Sequence, residues 1–145
     1  MQWLQALKED YVNFNKHETN EEAVLRCHYF SCYKGRLVIR KGGKRSASLG
    51  ALFMTKHADA DTLRHEYGHV AQLKYLGLRK YLLCIGLPSQ QMWGSLPYYE
   101  KPWEITADYY GGVQNRTHSK EAMDRGFAYL RKSKRIGAKI WKTIE

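Results

Sequence analysis

The chain has 145 residues, 43% of them hydrophobic and 13% aromatic. That length suits one domain, residues 1–145, with its own core, and the composition excludes a disordered or low-complexity chain. The formal net charge of +10 favours acidic or polyanionic neighbours over basic ones and says nothing about the fold.

The N-terminal residues carry Lys8, Glu9, Asp10 and Lys16 without a continuous apolar run, so no secretory leader is read there. The most apolar stretch, Tyr81 to Leu87, is too short to span a bilayer. A soluble, cytoplasmic protein is the expectation. Cys27, Cys32 and Cys84 cannot all pair within the chain. They are expected as reduced, buried small hydrophobes, with a Cys27–Cys32 disulfide as the alternative.

In chain order, residues 2–14 repeat Trp3, Leu4, Leu7, Tyr11 and Phe14 at spacings of three and four, which predicts a bracing helix. The polar stretch 13–22 reads as a loop or the start of a short helix. Residues 24–30 and 36–40 are strand-like, with a turn at Lys34-Gly35. A second turn at Lys41-Gly42-Gly43-Lys44 leads to a third strand, Ser46 to Thr55. Gly50 inside it suggests a bulge or a close backbone approach. The result is a small, mainly antiparallel sheet feeding a helix through residues 56–60.

That helix is predicted over 62–76, with Asp61 as N-cap and Gly77 as its stop. It contains His65-Glu66-Tyr67-Gly68-His69, the pattern H-E-x-x-H. At 3.6 residues per turn the two histidines lie one turn apart on one face, where both can hold the same tetrahedral zinc ion. Glu66 can then lie beside the metal without ligating it and accept a proton from a metal-activated water. The alternative is an ordinary surface helix with two histidines. Gly68 costs about 1 kcal/mol against alanine in a helix interior, which makes sense where another backbone packs closely on that turn.

Residues 77–101 form an apolar and then aromatic connector, broken at Pro88-Ser89 and including Met92, Trp93, Leu96, Tyr98 and Tyr99. It reads either as a cover for the core or as one wall of a substrate cleft. Pro102 suits the first turn of a further helix. On it Glu104 and Asp108 are four residues apart and share a face. Gly111-Gly112 kinks or ends that helix. Residues 119–131 are helical again, with Ala122, Met123, Phe127 and Leu130 as the apolar face. From Arg125 to Ile144 there are seven Lys or Arg and no acid.

Two histidines leave a catalytic zinc site one protein ligand short. Glu104 on the downstream helix can supply it, and Asp108 can bind the free nitrogen of a ligand histidine to orient the ring. This combination, His-Glu-Tyr-Gly-His followed by Glu104-x-x-Ala-Asp108, resembles the gluzincin group of zinc metallopeptidases. The E-x-x-A-D pattern is also similar to that of the integral-membrane CAAX-type endopeptidases. The resemblance covers mainly residues 61–112. It implies an α+β, zincin-like fold in which a small sheet packs on an active-site helix and a second ligand helix. It implies Zn2+ held by His65, His69 and Glu104, Glu66 as general base, Asp108 supporting the first histidine, and peptide hydrolysis.

The sequence departs from relatives of this kind in several places. The metzincin continuation is absent, since Gln72 and Tyr75 stand where glycine and histidine would be. The spanning segments of the CAAX-type enzymes and the C-terminal domain of thermolysin-like enzymes are absent too. The group that stabilises the oxyanion is therefore open, with Tyr98, Tyr99, Tyr109, Tyr110 and His118 as candidates by chemistry. The resemblance further implies that the strand at about 49–54 offers a free edge to an extended substrate. Two other readings stand beside the metallopeptidase: a non-catalytic zincin-fold binding or regulatory protein, and a basic nucleic-acid or anionic-surface binding protein with a structural metal. The last rests on the 125–144 stretch, where Phe127, Tyr129 and Trp141 interleave with basic residues.

Overall fold

The computed structural model describes residues 2–16, 20–90 and 96–136. It begins with helix α1, Gln2–Asn15. The expected apolar stripe is only partly used, because Trp3 is 54% and Tyr11 63% exposed. The fully buried side chain of α1 is Asp10. Its carboxylate accepts the backbone N–H groups of His28, Tyr29 and Phe30 at 2.9, 2.5 and 3.0 Å. A buried carboxylate is tolerated when several donors converge on it, and here it ties α1 to the start of the sheet.

The strand expected at 24–30 divides in two. Glu21–Leu25 is a short helix, α2. Asn20 caps it by accepting the Ala23 N–H at 3.2 Å, and Glu21 and Glu22 favour the positive end of the helix dipole. Strand β1, Phe30–Tyr33, begins only after this turn and pairs antiparallel with β2, Arg36–Arg40. Lys34 and Gly35, with φ of 47° and 79°, make the hairpin turn between them.

The single strand expected at Ser46 to Thr55 is two strands, β3 (Ala47–Leu49) and β4 (Ala51–Met54), folded back on Gly50 at φ 82°. The sheet order is β1-β2-β4-β3. After β2 the chain skips one position, runs back along β3 and re-enters as β4 between β2 and β3. The β2–β4 pairing is therefore parallel, and the sheet is mixed rather than mainly antiparallel. Lys41 to Lys44 does not join neighbouring strands, as a hairpin there would require. Beyond β2, Arg40 Nη1 and Lys41 N close the ladder on Thr55 O and Met54 O at 2.6 and 2.9 Å.

Helix α3, Ala60–Leu76, follows. Its cap is Asp59, whose Oδ1 accepts the Thr62 N–H at 2.8 Å; Asp61 is employed elsewhere, as described below. Gly77, at φ 81°, ends it. The chain then stays helical through α4 (Leu78–Tyr81), a π-helical turn (Leu82–Gly86) and α5 (Leu87–Gln90). Pro88 does not break this segment, and Cys84 O, the carbonyl four residues before it, accepts from the Tyr129 hydroxyl at 2.6 Å instead. A 3-10 turn, Tyr98–Glu100, leads into α6, Pro102–Gly111, which Gly112 ends in the left-handed region. Helix α7, Lys120–Ile136, closes the described chain.

The core lies on both sides of α3. Leu63 and Val70 pack with Val38, Leu52 and Met54 of the sheet. Leu76 packs on the other side with Ile85, Trp103 and Tyr129. The molecule is thus α+β, with a mixed four-stranded sheet on one side of α3 and a helical layer on the other. Among the described residues no helix is long and apolar enough to cross a membrane. All three cysteines are free, with Cys32 and Cys84 buried and Cys27 half-buried.

Candidate metal centre

The centre is set by how closely α3 and α6 approach. A Cβ added to Gly68 would stand 1.8 Å from Ala107 O, and one added to Gly111 would stand 1.8 Å from Arg64 O. Two reciprocal glycines let the two backbones touch. That contact brings His65 and His69 on α3 against Glu104 on α6. All three are buried, and their ligand atoms lie within 4.8 Å of one another. Glu104 Oε2 is 2.7 Å from His65 Nε2 and 3.6 Å from His69 Nε2.

The outer atoms of the three side chains are all engaged. His65 Nδ1 donates to Asp108 Oδ1 at 2.6 Å. Asp108 also accepts from Arg116 Nη2 and Nε at 2.7 and 2.9 Å and from His118 Nε2 at 2.8 Å. Burial alone would raise the Asp108 carboxyl, but the Arg116 guanidinium and the two histidines hold it well below the usual carboxylate range. Glu104 Oε1 accepts from Ser89 Oγ at 2.8 Å.

His69 Nδ1 lies 2.6 Å from Gln72 Oε1. The direction of this bond follows from the groups behind it. The Thr106 hydroxyl donates to Pro102 O at 3.0 Å, so it accepts from Gln72 Nε2 at 2.7 Å. The same Nε2 donates to Trp103 O at 2.7 Å. Gln72 therefore presents its oxygen to His69, whose Nδ1 must carry the proton. Both imidazoles thus turn Nε2 toward Glu104 Oε2. Sequence reasoning noted Gln72 only as a departure from another motif. Its spacing of three from His69 was the available signal, but its partners on α6 are set by packing.

Two of these inward atoms, His65 Nε2 and Glu104 Oε2, are buried without a satisfactory hydrogen bond. Two imidazole nitrogens and a carboxylate oxygen converging on one point form a donor set that suits a divalent transition metal. A buried His65, His69 and Glu104 group of this kind could hold a metal ion.

Glu66, the next residue after His65, is also buried. Burial pushes its carboxyl above the ordinary range despite the opposing influence of the two histidines. It borders two cavities of about 560 and 480 Å³. The larger is walled by β3 and by α4 and the π-helical turn, with Leu49, Phe53, Leu82, Leu83 and Ile85. The smaller is the more polar of the two, with Lys44, Arg45, His57, Thr62 and Arg116. Part of the connector thus forms a cavity wall. Met92 and Trp93 lie outside the described residues, as does Trp141.

Among the five candidates for oxyanion contact, Tyr98 borders both cavities and Tyr99 the polar one. Tyr109 and Tyr110 stack on Phe127 of α7 and border neither. His118 is occupied with Asp108. Tyr129 is not on the charged face of α7: it is buried, and its hydroxyl donates to Cys84 O at 2.6 Å. The expected substrate edge also moves. β4 is interior, and β3, Ala47–Leu49, is the edge strand beside the apolar cavity.

Fold and site together define an α+β protein with a buried two-histidine, one-glutamate group at the bottom of a two-part cleft. No protein-family model matches the chain, and no curated protein or solved structure was found to match it.

Proposed function

We propose that the protein is a zinc-dependent metallopeptidase of the gluzincin type, in a minimal zincin-like fold. The observation that carries this reading is the buried convergence of His65 Nε2, His69 Nε2 and Glu104 Oε2, beside a buried glutamate that opens on a cleft. A cation among the three would satisfy all of them at once, which a proton held between one pair does not. His65, His69 and Glu104 are the ligands, and Asp108 and Gln72 fix the two imidazoles from behind.

Bound zinc would supply Lewis acidity and a lowered pKa for water. The chain's own residues do the rest. An extended peptide adds to the outer edge of β3 by main-chain hydrogen bonds. Glu66 takes one proton as water oxygen attacks the carbonyl carbon. As the C–N bond breaks, Glu66 returns that proton to the leaving nitrogen. Tyr98 borders both cavities with Glu66, and burial keeps its phenol protonated well beyond the usual range. A neutral phenol there can donate to the developing oxyanion.

The test combines elemental analysis with a peptide-library assay. The wild type should carry about one zinc per chain, lost in His65→Ala and Glu104→Ala. Glu66→Gln should keep the metal and lose hydrolysis. Wild-type protein that takes up no metal when zinc is supplied would sink the proposal.

A further inference from the structure

The two cavities that meet at Glu66 differ in chemistry. One has the side chains of Leu49, Phe53, Leu82 and Leu83 on its walls. Leu49, Leu82 and Leu83 are also well exposed, an arrangement that invites an apolar occupant. The other is bordered by Lys44, Arg45, His57 and Arg116, and its only acid is Glu66 itself. Arg116 is committed to Asp108. Lys44 and Arg45 are exposed, and among the described residues neither forms an ion pair. Arg45 stands over the Tyr98 ring at 5.4 Å and borders both cavities, so it sits where they join.

We infer that this cleft selects a peptide with a bulky apolar residue on one side of the bond held over Glu66 and a carboxylate on the other. The carboxylate belongs to an acidic side chain or to a chain terminus. The apolar cavity removes a side chain from water, and Lys44 in the other cavity, with Arg45 at the junction, meets the opposite charge. The inference rests on the peptidase reading and assigns the substrate class of that site.

The experiment uses matched fluorescent peptides with leucine on one side of the central bond and glutamate, alanine or lysine on the other, in both orders. A further pair has neutral side chains and either a free or an amidated C-terminus. Binding is measured to zinc-supplied Glu66→Gln protein and cleavage with wild type. Glutamate should be preferred over lysine by about fivefold or more in both readouts in one of the two orders. Lys44→Glu should reduce that ratio, and Arg45→Glu should reduce it further. A preference confined to the free C-terminus assigns the carboxylate to the chain terminus. Cleavage dependent on Glu66 but indifferent to flanking charge would overturn the substrate assignment and leave the peptidase reading standing. Selective binding without cleavage would keep the two subsites and remove the hydrolase. Neither binding preference nor cleavage would overturn both.

Discussion

Asp108 grips His65 from outside the candidate metal centre, with Oδ1 2.6 Å from His65 Nδ1, while Arg116 holds the same carboxylate through two nitrogens. Arg116 in turn lies over the Tyr99 ring at 4.0 Å. The ring of His65 is thus oriented by a residue that is itself oriented. Replacing Asp108 with alanine should lower metal affinity by about ten- to a hundredfold. Arg116→Ala should lower it less, because His118 still bonds the carboxylate. Competition with a chromophoric chelator measures both. Equal affinity in wild type and Asp108→Ala would deny the carboxylate this positioning role.

Gln72 does for His69 what Asp108 does for His65, without a charge. Its amide bridges His69 Nδ1 to Trp103 O and the Thr106 hydroxyl. Gln72→Leu leaves those buried groups without it, which should cost about 1–3 kcal/mol in urea unfolding. It also frees the His69 ring to turn, and metal affinity should fall about tenfold. A variant that loses stability but binds metal normally would make Gln72 structural only.

The site was legible where it depends on one helix. The spacing of His65 and His69 dictates a shared face whatever the rest of the fold does, and Glu104 and Asp108 follow the same rule on α6. Gly68 was legible as a cost needing a close neighbour, and Ala107 is that neighbour. What could not be read depends on distant partners. Asp59 and Asp61 are both chemically good N-caps. Asp59 takes the role, while the Asp61 carboxylate accepts N–H groups from Gln114 and Asn115. Likewise alternation in Ser46 to Thr55 fits one strand or two. Only the insertion of β4 beside β2 makes Gly50 a corner rather than a bulge.

The contact between α3 and α6 should be intolerant of any side chain. Gly68→Ala drives a methyl into the Ala107 carbonyl, and backbone cannot rotate away as a side chain can. A loss of about 3 kcal/mol or more is expected in urea unfolding. Gly112→Ala is the comparison, since an added Cβ there meets nothing within 4 Å. It carries only the strain of a left-handed residue at φ 76° and ψ 37°, about 1 kcal/mol. Similar losses in the two variants would mean the helices can move apart at little cost.

Asp61 connects acid stability to the candidate metal centre. Its nearly buried carboxylate accepts Gln114 N at 2.9 Å, Asn115 N at 2.8 Å and Arg64 Nη1 at 2.8 Å. Burial would raise its carboxyl, but those bonds outweigh burial and hold it below the ordinary aspartate value. A carboxyl depressed in the folded state contributes stability that is fully present above the unfolded value of about 3.9 and is lost as pH falls through the folded value. Asp61→Asn should therefore be destabilised by about 1–3 kcal/mol at pH 7, and its deficit against wild type should shrink as pH falls below about 4. Urea unfolding of both proteins at pH 7 and 3 measures this, and a constant deficit would place the stabilisation elsewhere. The same substitution should weaken metal binding without touching a ligand. The backbone that Asp61 anchors at Gln114 and Asn115 leads directly into Arg116, which holds Asp108, which holds His65.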